Sequence, residues 1–151
     1  LQWTKLELAG AALYQTKKDL VASLATYKYG NSLELSERFL ADAKKLTDAW
    51  EKFDEATSKS DLNRRAIKTV LQIIASALSD AMKLSLTADT IVNSDQKDDI
   101  KKLAARLDPP QAAKKIEDCF RNVEYLEANV NEKLIFDRLL LNLAISDNIK
   151  T

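Results

Sequence analysis

The chain has 151 residues, of which 46% are hydrophobic, and its 23 basic and 23 acidic side chains give a formal net charge of zero. This composition predicts a folded domain rather than a disordered chain, and the balanced charge argues against nucleic acid or an anionic membrane as the main partner. Histidine is absent and Cys119 is the single cysteine. An intrachain disulfide, a histidine general base and the usual zinc or di-iron ligand sets are therefore excluded.

Helical periodicity begins near the first residues of the chain. Two glycines and two prolines are present in all, and they lie between periodic segments, whereas strands would need denser turn residues and period-two alternation. We predict a first helix over residues 3–28, with Trp3 on its apolar face. The dipeptide Gly30-Asn31 is expected to end this helix.

Asn31 and Glu34 have the spacing of a capping box, which predicts the start of a second helix. Its apolar residues follow a 4-3-4-3 rhythm that ends with Trp50 and Phe53, as in a helix of a bundle. A polar turn over residues 57–60 follows. Ser60 or Asp61 is a candidate cap for the next helix.

The third helix is predicted over residues 61–92 as the longest and least polar, apolar around most of its circumference. Such a helix is usually contacted from several sides, so we place it centrally. A short fourth helix is expected over residues 94–107, opened by a capping-box spacing between Asn93 and Gln96.

Asp108-Pro109-Pro110 predicts the end of the fourth helix and the start of a fifth, since proline is tolerated in a first turn. The fifth helix carries an apolar stripe that includes Ile116, Phe120 and Val123. Asn129 and Asn131 interrupt the pattern, and two readings stay open: a break there, or one helix to about Ile145. The last segment, residues 134–145, is apolar except for Asp137, Arg138 and Asn142.

These elements predict an all-α fold: a single antiparallel bundle of five or six helices, with the long third helix central. Neither a linker nor an internal repeat divides the sequence, so we expect one domain over residues 1–151. The pattern defines an architecture, and it contains no motif that identifies a family.

The chemistry-bearing residues have structural interpretations. Cys119 lies beside Glu117 and Asp118, which would raise a thiol pKa, and it is expected to pack as a small hydrophobe. The acidic cluster over residues 95–99 is typical of a helix N-terminus and lacks the glycine and the distal glutamate of a calcium loop. We therefore predict no catalytic residue, no cofactor and no metal.

Two apolar groups are candidate binding surfaces. Antiparallel packing predicts Trp3, Trp50 and Phe53 at one end of the bundle, as core filling or as the mouth of an apolar pocket. The last helix has a wide apolar arc, and Phe136, Leu139 and Leu140 lie within this segment. Such an arc must be covered by the protein's own core, by a ligand, by another subunit or by a membrane. The candidate pocket or interface is thus Trp3, Trp50, Phe53, Phe136, Leu139 and Leu140.

Two functional hypotheses from different classes follow. The first is a non-enzymatic module that binds a protein partner, or a second copy of itself, through apolar helix faces. The alternative is a carrier of a fatty acid or similar hydrophobic small molecule, with the small residues 9–12 leaving room between helices. The compartment is not encoded, although the absence of an initiator Met leans toward a processed or exported soluble chain.

Overall fold

The computed structural model describes the backbone of residues 2–86 and 90–150 and the side chains of residues 7–28, 30–86 and 90–142. Within that part the chain forms helices and no strand, which confirms the all-α prediction. The helices are α1 (Gln2–Thr26), α2 (Ser32–Glu51), α3 (Lys59–Ser85), α4 (Lys97–Arg106), α5 (Pro109–Glu127) and α6 (Glu132–Lys150). Single 3-10 turns at Tyr29–Asn31 and Ser94–Gln96 precede α2 and α4.

Helix α3 is the central element, as predicted. It packs against α1, α2, α4 and α5, while α6 packs against α2 and α5. Its buried side chains come from most of its circumference, because apolar residues recur at both the third and the fourth position along it. The fully buried large ones are Leu62, Ile67, Leu71, Ile74 and Leu78.

Helix α6 closes the bundle against α2 and the segment that follows α1. The ring of Phe136 meets the ring of Phe39 edge-on, with centroids 6.0 Å apart and planes at 77°. The Tyr27 hydroxyl, just after α1, donates to the carbonyl oxygen of Leu140 at 3.3 Å. One apolar contact and one hydrogen bond thus tie the last helix to elements about 100 residues earlier in the chain.

The predicted end of α3 at residue 92 is wrong, because the helix ends at Ser85. The carboxylate of Asp80, which is fully buried, accepts hydrogen bonds from the backbone N–H groups of Val92 and Asn93 at 2.9 and 2.7 Å. Those two amides therefore bond to a side chain of the preceding helix rather than to carbonyls one turn back. Residues 90–93 are not helical and therefore do not extend α3.

Three predicted helix caps are corrected. Asn31 precedes α2, but its Oδ1 accepts from the backbone N–H of Lys28, so no capping box forms with Glu34. Asn93 forms no capping box with Gln96 either, since its amide donates to Asp80. Ser58 caps α3 in place of Ser60 or Asp61, and its Oγ accepts from the Asp61 N–H at 3.2 Å.

The helix is interrupted between α5 and α6, so the segment after Pro109 forms two helices rather than one. Asp108 and Gln111 open α5 with a complete capping box. The helix ends at Glu127, and Asn129 has a φ of 62°, a left-handed conformation that asparagine tolerates better than most residues. The Oδ1 atom of Asn131 then accepts from the Lys133 N–H at 3.0 Å and starts α6.

Candidate interaction surface

An open groove between α5 and α6 has a cavity volume of about 610 Å³. We define the α5/α6 groove by six of its lining residues: Asn122, Tyr125, Val130, Leu134, Asp137 and Leu141. Two aliphatic side chains that line it, Val130 and Leu134, are 38% and 60% exposed. An apolar depression with exposed aliphatic walls is typical of a surface that another protein covers.

The spacing of α6 residues explains why this helix has apolar side chains on both sides. Ile135, Phe136, Leu139 and Leu140 are buried in the core. Leu134, Asp137 and Leu141 follow at intervals of three and four, so they share the neighbouring face that lines the α5/α6 groove. The wide apolar arc therefore divides into an inner face, covered by the protein's own core, and an outer face that remains open.

Helix α5 is rotated relative to the sequence prediction. Its buried face comprises Ala112, Lys115, Cys119, Asn122 and Leu126, whereas Phe120 of the predicted apolar stripe is 58% exposed. Hydrogen bonds offset the cost of burying the polar side chains of this face. Lys115 Nζ donates to the carbonyl oxygen of Asn142 at 2.5 Å, and Asn122 Nδ2 donates to that of Asp118 at 2.6 Å.

Two acceptor atoms of the α5/α6 groove have no hydrogen-bond partner. Asn122 is only 2% exposed, and its Oδ1 is unpaired. The Oδ1 atom of Asp137 is likewise buried and unpaired. Arg138 also lines the groove, but its guanidinium lies 4.9 Å from the centre of the Tyr125 ring rather than on either acceptor. The groove thus combines apolar walls with unsatisfied acceptors, one of which belongs to a carboxylate.

A second apolar depression lies between α1 and α3. This α1/α3 groove has a volume of about 430 Å³ and is lined by residues that include Leu13, Tyr14, Ile73 and Val92. A Cβ added at Gly10, on its wall, would meet no atom within 4 Å, so this glycine widens the groove without being needed for close helix packing. Two lining residues share Asp95 as a partner, which accepts from the Tyr14 hydroxyl at 2.6 Å and from Lys17 Nζ at 2.7 Å.

The structure distributes the six sequence-predicted residues over different environments. Phe136, Leu139 and Leu140 are fully buried, and Trp50 is partly buried against the same core. Phe53, just beyond α2, is 40% exposed, and the side chain of Trp3 lies outside the described residues. None of the five described ones lines the α5/α6 groove or the α1/α3 groove.

The residues that do line the α5/α6 groove were missed as a site, although one signal was visible. Asp137 and Arg138 interrupt an otherwise apolar terminal segment, and a charged pair inside such a segment marks the side of the helix that leaves the core. Asn122 gave no comparable signal, because its burial depends on the rotation of α5 against α3 and α6.

Neither a metal-binding cluster nor a membrane-spanning helix is found in the described part of the chain. There, no group of three or more histidine, cysteine or carboxylate side chains could hold a metal ion. The thiol of Cys119 is buried, and this desolvation, together with the charge of Asp118, raises its pKa to about 12. Among the helices described, none is long and apolar enough to cross a membrane.

Comparison with known families decides the identity of this bundle. The model of the family described as "DNA polymerase III, delta subunit, C terminal" matches residues 33–144, well over half of the chain. The chain belongs to this family. Neither a curated protein nor a solved structure matches the chain. The family match runs from the start of α2 into α6, so it includes the whole α5/α6 groove and omits α1.

Membership in the delta-subunit family corrects the second functional hypothesis. The expectation of a fatty-acid carrier is wrong, because the matching family is a subunit of a DNA polymerase and not a lipid-binding protein. The hydrophobic small molecule expected as a partner has no support for the same reason. A role in binding protein partners is compatible with the family.

Proposed function

We propose that this delta-family domain is a non-catalytic assembly domain, which joins the protein that carries it to other protein subunits of the replicative clamp loader. The observation that carries the proposal is the family match over residues 33–144. A domain of a multiprotein machine needs surfaces that pack on its neighbours, and the α5/α6 groove lies entirely within the matched segment.

Several properties of the chain support a binding role rather than a catalytic one. Histidine is absent, and the high pKa of Cys119 keeps its thiol protonated and unreactive at neutral pH. We also propose that the domain contacts protein and not DNA, because 23 basic and 23 acidic residues leave no excess of positive charge. A domain of the replication machinery is expected in the cytoplasm, so export is not part of the proposal.

Reconstitution tests the proposed function directly. The 151-residue chain would be mixed with the other purified subunits of a DNA polymerase III clamp loader, and the mass of the products measured by light scattering after gel filtration. We expect the chain to co-elute with at least one subunit, at a mass that equals the sum of the two. Elution of every component at its own mass would overturn the proposal.

Binding to DNA forms the companion measurement. Fluorescence anisotropy of a labelled duplex at low salt, where phosphate contacts are strongest, would detect a hidden basic surface. We expect no change in anisotropy up to high micromolar concentrations of the chain. Saturable binding that weakens with added salt would show a nucleic-acid function instead.

A further inference from the structure

We propose that the α5/α6 groove receives an amphipathic helix of a partner protein, and that this helix places a lysine or arginine side chain against Asp137 and Asn122. The inference rests on the proposed function, which it deepens by stating where the partner binds and what chemistry it brings. It is carried by two independent features of the groove, its open apolar walls and its unpaired acceptors.

The apolar walls define the shape of the occupant. Val130 and Leu134 stand at the rim, and Leu141 lies two turns further along α6 on the same face. Residues seven positions apart on one helix are about 10 Å apart along its axis, which matches the spacing of anchoring side chains on a docked helix. A helix with apolar residues at intervals of three and four would fill this length.

The unpaired acceptors define the charge of the occupant. Asn122 Oδ1 and Asp137 Oδ1 are both buried atoms without a hydrogen-bond partner, and an occupant with only aliphatic groups would leave them so. A lysine or arginine supplies N–H donors and a positive charge opposite the carboxylate, whereas a partner carboxylate, including that of a fatty acid, would be repelled.

The chain's own basic groups at the groove already have partners other than Asp137. Arg138, a lining residue, lies over the Tyr125 ring, and Lys115 donates to the carbonyl oxygen of Asn142, which also lines the groove. A rearrangement that brought either cation to Asp137 would give up an existing interaction. The missing donor is therefore assigned to the partner.

Two variants and one control test the inference with the same purified clamp-loader subunits. Leu134→Glu places a charge on the apolar wall, and Asp137→Asn removes the carboxylate charge while keeping the shape of the side chain. Leu33→Glu is the matched control, because Leu33 is exposed to a similar extent (57%) on α2 and lines neither groove. Circular dichroism would verify that all three variants remain helical.

We expect Leu134→Glu and Asp137→Asn each to weaken the complex by about tenfold or more, and Leu33→Glu to change the dissociation constant by less than about twofold. The complex of the unmodified chain should also weaken more steeply with added salt than that of Asp137→Asn, since only the former contains the charge pair.

The outcomes separate this inference from the function on which it rests. If the unmodified chain binds a subunit and both groove variants bind equally well, the groove assignment is overturned while the assembly function stands. If Leu134→Glu alone weakens binding, the groove is the interface but the cationic contact is wrong. Absence of any complex would overturn both proposals, and a self-dimer disrupted by Leu134→Glu would identify a second copy of the chain as the occupant.

Discussion

Asp80 and Asn93 are joined by two hydrogen bonds of 2.7 Å that both end on Asp80 Oδ2, one from the backbone N–H of Asn93 and one from its Nδ2. The other carboxylate oxygen accepts from the Val92 N–H at 2.9 Å. A fully buried carboxylate therefore has three N–H donors, which offset the cost of removing it from water. This cluster ties the chain after α3 back onto α3.

Asp80→Asn is predicted to destabilise the fold by roughly 2–3 kcal/mol, because the new amide presents N–H groups where an acceptor is needed. Urea unfolding followed by circular dichroism measures the loss. Asp48→Asn serves as the control, since Asp48 is exposed on α2, and it should change the free energy of unfolding by less than about 0.5 kcal/mol. Equal stability of the two variants would show that the Asp80 cluster contributes little.

Arg106→Lys is predicted to lower the unfolding free energy by about 1–2 kcal/mol. The guanidinium of Arg106 donates to the carbonyl oxygens of Leu24, Ala25 and Tyr27 at and after the end of α1, and it lies 5.1 Å from the Tyr27 ring centre. An ammonium lacks the planar fork that serves several acceptors at once. Thermal unfolding tests this, with the exposed Arg121→Lys as the control; an unchanged midpoint would contradict it.

The carboxyl of Asp95 is predicted to titrate far below its usual range. Hydrogen bonds from Lys17 and then Tyr14 lower its pKa from 3.8 to about 2. Because the folded-state pKa is the lower one, the stabilisation is present above about pH 4 and is lost as the pH falls toward 2. Carboxyl chemical shifts in an NMR titration report this directly. Tyr14→Phe should move the Asp95 pKa upward, and a midpoint near 4 in the unmodified chain would refute the assignment.

Cys119 is predicted to react slowly with Ellman's reagent in the native protein at about pH 8, because burial raises the thiol pKa to about 12. The thiol should react at the rate of a free cysteine once the chain is unfolded in urea. Comparison of the two rates gives the protection. Fast reaction of the folded chain would mean that the bundle opens readily around α5.

The residues of α5 illustrate how far the sequence could be read. Its start was predictable, because Asp108 followed by two prolines and Gln111 forms a cap from neighbouring residues alone. Its orientation was not. Apolar periodicity favoured a buried Phe120, yet Lys115 and Asn122 are buried instead. The Lys115 ammonium donates a hydrogen bond to Asn142, which lies 27 residues later. The orientation of α5 that buries Lys115 also forms the wall of the α5/α6 groove.

Helix α3 shows that the position of a helix can be predicted from the sequence while its end cannot. Its central place was evident from residues 67–78, whose apolar side chains cover most of the circumference of the helix. Its end was misplaced because the Asp80 carboxylate captures the amides of residues 12 and 13 positions ahead. A local pattern does not contain that contact, whereas the continued apolar periodicity up to Ile91 favoured more helix.

The sequence by itself determined the all-α class, the order of the helices, the central place of α3 and the lack of histidine chemistry, because these depend on composition and on periodicity within one element. Only the tertiary structure decided which face of α5 is buried, where α3 ends and which acceptors remain unpaired along α6. These depend on hydrogen bonds and packing between residues far apart in sequence, such as Tyr27 with Leu140, and such contacts form only when the chain folds.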